Sequence, residues 1–437
     1  MFRLHDKTRR QICLAGFFLL CIAPVLGAAA WCAMRHAPWV VQEEARNLAR
    51  QLGLEVRLTG MKNVRPGTVL YEGLELADPE TNQRLLYCRV LEVQWKTVAA
   101  DRGSSRPLLV MQACQPEIET AGLRQLGALL QRAMQGQTGR PAVDMRVSAG
   151  ELTLRAGPGS RTFTGVEGSF DNPPGGVQAI VAFRIPGVVM PEPIRIRAVR
   201  NRQTSPPASG FELSTGDGEL PCDLLAAGLP ELAGLGSRSR FRGYIWANQD
   251  YDPQAGNNWS GGAAGQLLGV DLERLVSDHF PHKLSGAADV SITSARFVRG
   301  RLNQASGTII AGPGVVSRSL LLSAANHLHL SSGVDLDLIG DLVAYDRIAL
   351  DMQMDAAGLK ILGQCSAAGK DLLLAETGAP PQPIPALIQT LVPESMVQVP
   401  ATDQTDWLVA HLVMPQAAAP QTRQATAPSG QLRLRRE

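Results

Sequence analysis

Four aspartates between Asp335 and Asp346 come nearest to an ion-binding loop. Asp335, Asp337, Gly340, Asp341 and Asp346 fall at several positions of a calcium loop, in which carboxylate oxygens wrap a divalent cation. Ile339 stands where a ligand is required and Asp346 where a bidentate glutamate is, while Leu336 and Leu338 alternate with the acids as in a strand. A strand is the better expectation. Two histidine pairs, His279 with His282 and His327 with His329, have the spacing to put two imidazoles on one side of a turn or strand, but zinc needs further ligands and no third stands nearby. Gly363 to Asp371 (GQCSAAGKD) approximates a phosphate-binding loop, with one residue too many before Lys370 and Asp371 where Ser or Thr should hold magnesium. A G-x-S-x-G elbow and an H-E-x-x-H helix are both absent from the sequence. The chain is therefore read as non-enzymatic, with no catalytic residue, metal or cofactor.

The elements that would carry any other function begin with an anchor. Gln11 to Met34 is uncharged for 24 residues, against the ~20 that an apolar helix needs to cross a bilayer. Arg3, Lys7, Arg9 and Arg10 precede it with Asp6 alone opposing, which predicts a single-pass inner-membrane protein with a cytoplasmic N-terminus and its bulk in the periplasm or outside. A cleaved secretory signal is the competing reading, because Ala28, Ala29 and Ala30 offer a cut site. The apolar run is long for a signal, and Trp31 and Trp39 suit the far interface of a retained helix.

Composition favours many short strands. Apolar residues make up 45%, aromatics 5%, and there are 43 Gly and 29 Pro among 437 residues, a mixture suited to strands with frequent turns. A net charge of +2 makes no case for nucleic acid. Cys13, Cys21 and Cys32 fall in the membrane segment, leaving Cys88, Cys114, Cys222 and Cys365 as free, buried thiols or as partners in one of three pairings. Only Cys88 and Cys114 are close enough in sequence to suggest neighbouring strands.

Along the chain, Val40 to Gly53 has the spacing of a short amphipathic helix, and Ala121 to Gln135 that of a second, closed by Gly136. Alternation predicts strands at Val69 to Leu76 and Leu85 to Trp95, a hairpin turning at Ser-Ala-Gly within VDMRVSAGELTLRAG (Val143 to Gly157), and strands at Val177 to Ile185 and Ile194 to Arg197. Short helices are expected within ELPCDLLAAGLPEL, at Asp271 to His279 and at Val315 to Ala325. Ile348 to Met354 faces one way before the Asp355 to Gly358 turn, and Trp407 to Val413 is the last strand before a tail of disordered composition. Arg-rich Ile194 to Arg202 and Ser237 to Arg242 read as solvated strand faces, with contact to anionic headgroups as the alternative. The divisions drawn are 1–36 (tip and anchor), 37–140 (helix and β module), 141–260 (central β region), 261–412 (C-terminal β module) and 413–437 (tail).

This organisation resembles the AsmA-like/TamB superfamily of bridge-like lipid-transfer and envelope-assembly proteins. The resemblance rests on one N-terminal anchor, a short helix ending in LGLEVRLTGM, the PGTVLYEGLELADPET segment, the strand-turn units SAGELTLRAG and FTGVEGSFDNPPGG, and KLSGAADVSI with RLNQASGTIIAGPGVVSRSLLLSAA. It implies elongated, twisted antiparallel sheets, trough-like or sandwich-like, with a few short helices, whose apolar strand face accepts acyl chains. The expected function is sheltering or transfer of membrane lipid, or support of outer-envelope assembly. Val177, Ala179, Val181, Phe183, Ile185, Ile348, Leu350, Met352 and Met354 are the lipid-facing candidates; the same residues would suit a closed sandwich core. The alternative function is an anchored scaffold binding another envelope protein or a wall polymer.

Overall fold

The computed structural model describes residues 6–27, 29, 37–99, 105–136, 143–156, 159–173, 175–225, 235, 238–252, 256–278, 280–298, 301–331, 340–363, 374–375, 382, 387 and 390–391. Helix α1 (Asp6–Phe17) runs into a π-helical segment, Phe18–Ile22, and residues 23–27 are again helical. Leu14, Phe17, Phe18, Leu19 and Leu20 are exposed, Leu19 at 72% and Leu20 at 75%. Among the described residues no helix is long and apolar enough to cross a membrane. The span expected at Gln11 to Met34 is divided by the π segment, and residues 28 and 30–36 lie outside the described set.

Helix α2 (Pro38–Leu52) starts with proline in its first turn, where the missing N–H would have no partner in any case, and stops at Gly53 in the left-handed region (φ 67). Its apolar stripe lays Ala45 against Leu54, Leu74, Leu76, Leu85 and Cys88 of the adjoining strands. The Tyr71 hydroxyl donates to Glu44 Oε1 at 2.9 Å, and burial first, then Glu44, pushes the phenol pKa upward, so Tyr71 stays a protonated donor. Tyr71→Phe is expected to cost about 1 kcal/mol of stability, read as a lower denaturation midpoint at unchanged m-value; no change would mean that the bond does not fix α2.

The protein is mainly β. Strands β1 (Glu55–Arg57) and β2 (Gly60–Arg65) lie end to end on one edge of β3 (Thr68–Ala77), which pairs antiparallel with β4 (Arg84–Ala99), and β4 with β5 (Ser105–Glu119). β5 then pairs parallel with β6 (Asp144–Ala156). A parallel pair needs a long return connection, and α3 (Thr120–Gln135) supplies it. From β6 the order is antiparallel through β7 (Gly159–Asp171), β8 (Gly176–Arg184), β9 (Ile194–Asn201) and β10 (Ala208–Ser214). β11 (Leu220–Pro221), followed by α4 (Cys222–Leu225), shares the β10 row along β12 (Arg240–Asp252). β13 (Gly256–Asp271), β14 (Ala287–Val298) and β15 (Arg301–Ala311) follow in turn. After β16 (Gly314–Ser317), α5 (Arg318–Leu328), β17 (Leu330–Ser331) and β18 (Leu342–Tyr345), the ladder ends with β19 (Ile348–Asp355) and β20 (Gly358–Gly363). Outside the ladder, β21 (Leu374–Ala375) pairs with β17, and β16 with β18. No pairing among the described residues joins the first row to the last, so the 17-stranded sheet that they form is open.

Several expectations need correction. Val143 to Gly157 is not a hairpin: Asp144–Ala156 is one strand, with Gly150 lying between the pairs Ala149↔Val166 and Glu151↔Thr164, hence opposite Gly165 (φ 58). The apolar alternation changes phase there, from Met145 and Val147 to Leu152 and Leu154, and such a change reads like a turn in sequence. Val315 to Ala325 divides into β16 and α5, because Ser317 is extended and accepts from Leu320 N as a helix cap. Asp271 to His279 contains a π-helical turn at Glu273–Ser277, whose first amides donate to the Asp271 carboxylate. The Asp335 to Ile339 part of the aspartate run, most of the Gly363 to Asp371 loop, the Trp407 to Val413 strand and the tail lie outside the described residues.

Candidate functional site: one apolar face along the ladder

Side chains of residues directly opposite each other on paired strands stand on the same face, so register carries a face from strand to strand. From β3 to β9 one such row reads Val69↔Val93↔Met111↔Val147↔Gly168↔Val181↔Ile196. It continues through Leu213↔Ile245↔Ala263↔Ala295↔Ala305↔Met354↔Leu359 to β20. No position in it is polar or charged. At ~4.8 Å between neighbouring strands the row is on the order of 60 Å long. A second row beside it, from Trp95↔Leu109↔Met145 through Phe170↔Ala179↔Ala198↔Phe211 to Ala247↔Gly261↔Phe297↔Leu302, is apolar throughout.

The opposite face is polar and paired. Arg197 reaches Gln178 Oε1 at 3.0 Å and Glu212 Oε2 at 3.4 Å, Arg146 meets Asp171 at 2.7 Å, and Arg155 meets Glu117 at 2.7 Å. Burial, then Glu212, pushes the Tyr244 phenol upward. An open depression of about 400 Å³ on this side is lined by Val90, Glu92, Gln112, Cys114 and Glu151, among others. A sheet with one dry and one wet face must have its dry face covered by something.

Three pieces of the chain cover parts of it. Helix α3 lies across the N-terminal third. A Cβ on Gly122 would come within 2.7 Å of the Leu85 carbonyl, Leu129 meets the Leu91 and Ala113 cluster, and Met134 packs on Phe170, Val177 and Ala179. Met190, Leu220 and Cys222 cover Ile194 and Leu213, with Asp223 paired to Arg161 of β7 at 2.7 Å. Helix α5 covers the C-terminal end, Leu321 against Ala288, Ala311 and Ile348, and Ala324 and Leu328 against Leu359, Met352 and Met354. Between them Val147 and Val181 remain 36% and 38% exposed.

Eight of the nine candidate residues therefore share this face. Val181 and Met354 stand in the long row and Ala179 in the second; Phe183 pairs with Ile194, Ile348 with Ala311, Leu350 with Ile309 and Met352 with Gly307, while Val177 faces Arg200 at the strand end. Ile185 follows β8 and packs against the Ile194 cluster. The β8 and β19 groups are seven strand steps apart, roughly 35 Å, so they belong to one extended surface and not to a pocket.

Of the two histidine pairs, His279 lies outside the described residues. His282 is buried with Nδ1 3.0 Å from Ser319 Oγ, which is 3.0 Å from the helix-capping Ser317 Oγ, and burial lowers the imidazole pKa. This network ties the 280–283 loop to α5. His327 sits in the last turn of α5 and His329 caps it in the left-handed region (φ 54). Among the described residues no three His, Cys, Asp or Glu gather to hold a metal ion. Cys88 and Cys114 lie on the neighbouring strands β4 and β5, yet both are free, and burial pushes the Cys88 and Cys222 thiols upward. In comparisons with known proteins, no family model and no curated protein matches the chain, so the functional argument rests on the apolar face itself.

Proposed function

We propose that this is a membrane-anchored, extracytoplasmic β protein of the AsmA-like type whose apolar sheet face shelters acyl chains, so that it transfers lipid or supports outer-envelope assembly without catalysis. The observation that carries the reading is the apolar row that crosses fourteen strands of an open sheet, with exposed Val147 and Val181 between its coverings. Acyl chains laid on that face would leave headgroups in water and need no chemical step. The anchor is supported by exposed apolar Leu14, Phe17, Phe18, Leu19 and Leu20, behind basic Arg3, Lys7, Arg9 and Arg10.

Two measurements test this. The full chain in membranes is expected to resist carbonate extraction and to retain Gln11 to Met34 at its mature N-terminus; an N-terminus beyond residue 30 would leave the sheet unanchored. Phospholipid carrying a diazirine in its acyl chain is expected to form adducts on peptides containing Val147 and Val181. Adducts confined to the N-terminal segment, with crosslinks to other envelope proteins on the sheet, would replace lipid shelter with the scaffold function.

A further inference from the structure

Strand β9 and the residue after it read IRIRAVRNR, Ile194 to Arg202, and the alternation breaks at Ala198-Val199. Arg195 and Arg197 stand on the polar face, where Arg197 pairs with Gln178 and Glu212. Past the break, arginine falls in step with Ile194, Ile196 and Ala198 instead. Arg200 is directly opposite Val177 of β8 and Ser209 of β10, next in line after the Ala179↔Ala198↔Phe211 pairs. It is therefore on the apolar face, at its edge.

Arg202 continues that line. Its backbone N–H donates to the Gly175 carbonyl, and its guanidinium reaches across β8 to Asn172 Oδ1 at 2.9 Å. Arg200 donates to Ser209 Oγ at 3.0 Å. Neither forms an ion pair with a carboxylate among the described residues; nearby Asp171 and Glu212 are engaged by Arg146 and Arg197. Two cations thus stand at the margin of an apolar surface beside hydroxyl and amide groups. On the same margin, Trp259 of β13, opposite Gln249, is 41% exposed, as suits an aromatic at a water–hydrocarbon boundary. Along β9 the sequence of environments is that of a lipid: half-buried Ile196, opposite exposed Val181, for chain, Ala198 for the glycerol region, Arg200 and Arg202 for an anion, with roughly 13 Å between Ile196 and Arg200.

We propose that Arg200 and Arg202, with Ser209, seat the phosphate of an anionic phospholipid whose acyl chains lie on the β8–β10 part of the apolar face. This rests on the lipid-sheltering function above and adds to it a headgroup preference and a direction, chains inward and phosphate at the edge. Arginine suits the task because its planar fork meets phosphate oxygens in pairs.

The test uses the full chain in membranes with two diazirine probes of identical acyl chains, phosphatidylglycerol and uncharged diacylglycerol, read as adducts on the peptide containing Val181. Two arginines near an anionic lipid predict phosphatidylglycerol labelling roughly tenfold or more above diacylglycerol. The R200Q/R202Q variant should bring that ratio close to one with diacylglycerol labelling unchanged, and R200K/R202K should keep much of it. Equal labelling in the natural protein, or a ratio that survives R200Q/R202Q, overturns the headgroup seat and leaves lipid shelter standing. Labelling by neither probe removes lipid shelter itself, and the seat with it. If R200Q/R202Q loses diacylglycerol labelling as well, R202Q alone, at an exposed position, decides by the same ratio.

Discussion

Val181→Asp is expected to reduce acyl-chain labelling of the β8–β10 surface by about 100-fold while the protein stays folded. Val181 is 38% exposed in the middle of the long row, so the change costs the fold only ~1 kcal/mol of strand preference. For a bound acyl chain the balance differs. An ionised carboxylate beneath it must either lose its water, at several kcal/mol, or keep the chain away. Every 1.4 kcal/mol is about tenfold in affinity, so even a partial desolvation cost removes most binding. Ile180→Asp, one residue away but on the polar face beside Ser169 and Arg197, is the control and should leave labelling near its original level. Equal effects from the two substitutions, or none from either, would show that acyl chains do not use this face.

The second large effect is expected at Gly122. Helix α3 approaches β4 so closely there that a Cβ would meet the Leu85 carbonyl oxygen at 2.7 Å and Leu85 Cα at 2.9 Å, both backbone atoms of a paired strand. Helix propensity alone favours alanine over glycine by ~1 kcal/mol. Overpacking a well-packed contact costs ~1–3 kcal/mol, and a strand held on both sides gives way less easily than a side chain. The contact wins. Gly122→Val, which adds bulk and stiffness, should destabilise by about 3 kcal/mol, seen as a lower denaturation midpoint, and should raise the exposure of Phe170 and Val177 beneath Met134 to an environment-sensitive dye. Gly127→Ala, on the same helix with nothing within 4 Å of the added carbon, should stabilise slightly. A stable Gly122→Val protein would mean that α3 is not seated by this contact.

Much of the sheet was legible because its strands alternate cleanly. Val177 to Ile185 and Ile348 to Met354 mark β8 and β19 almost to their ends, and the 3.6-residue spacing of Leu123, Leu126, Leu130 and Met134 marks α3. What periodicity cannot carry is phase across a change of face. The shift at Gly150 imitates a turn, and the shift at Ala198-Val199 hides two arginines on the apolar side within a stretch that reads as a wet strand. Both become visible only through cross-strand register, since a partner such as Val177 or Gly165 fixes the face that a single strand leaves ambiguous. Long-range pairing likewise unites two candidate groups seven strands apart into one surface, and no local pattern connects them. α2 was foreseeable, but its attachment through Tyr71 and Glu44 was not, because a buried phenol–carboxylate bond leaves no periodic trace.

The order of strands in space nearly repeats their order in the chain. From β3 through β15 each long strand lies beside the one that precedes it in sequence, short β11 aside, and β19 and β20 extend the same edge. Loop-closure entropy is then small at each addition, as in solenoid repeats whose units contact only their neighbours. A chain emerging N-terminus first can dock every new strand onto a finished template without waiting for distant partners. The exposed edge of the growing sheet is both its seed and its hazard. The parallel junction at β5–β6 is a pause in this sequence, as is the α5 excursion between β15 and β19: β6 can add only after α3 has run back across the sheet, which makes that helix a step on which folding of the following strands waits.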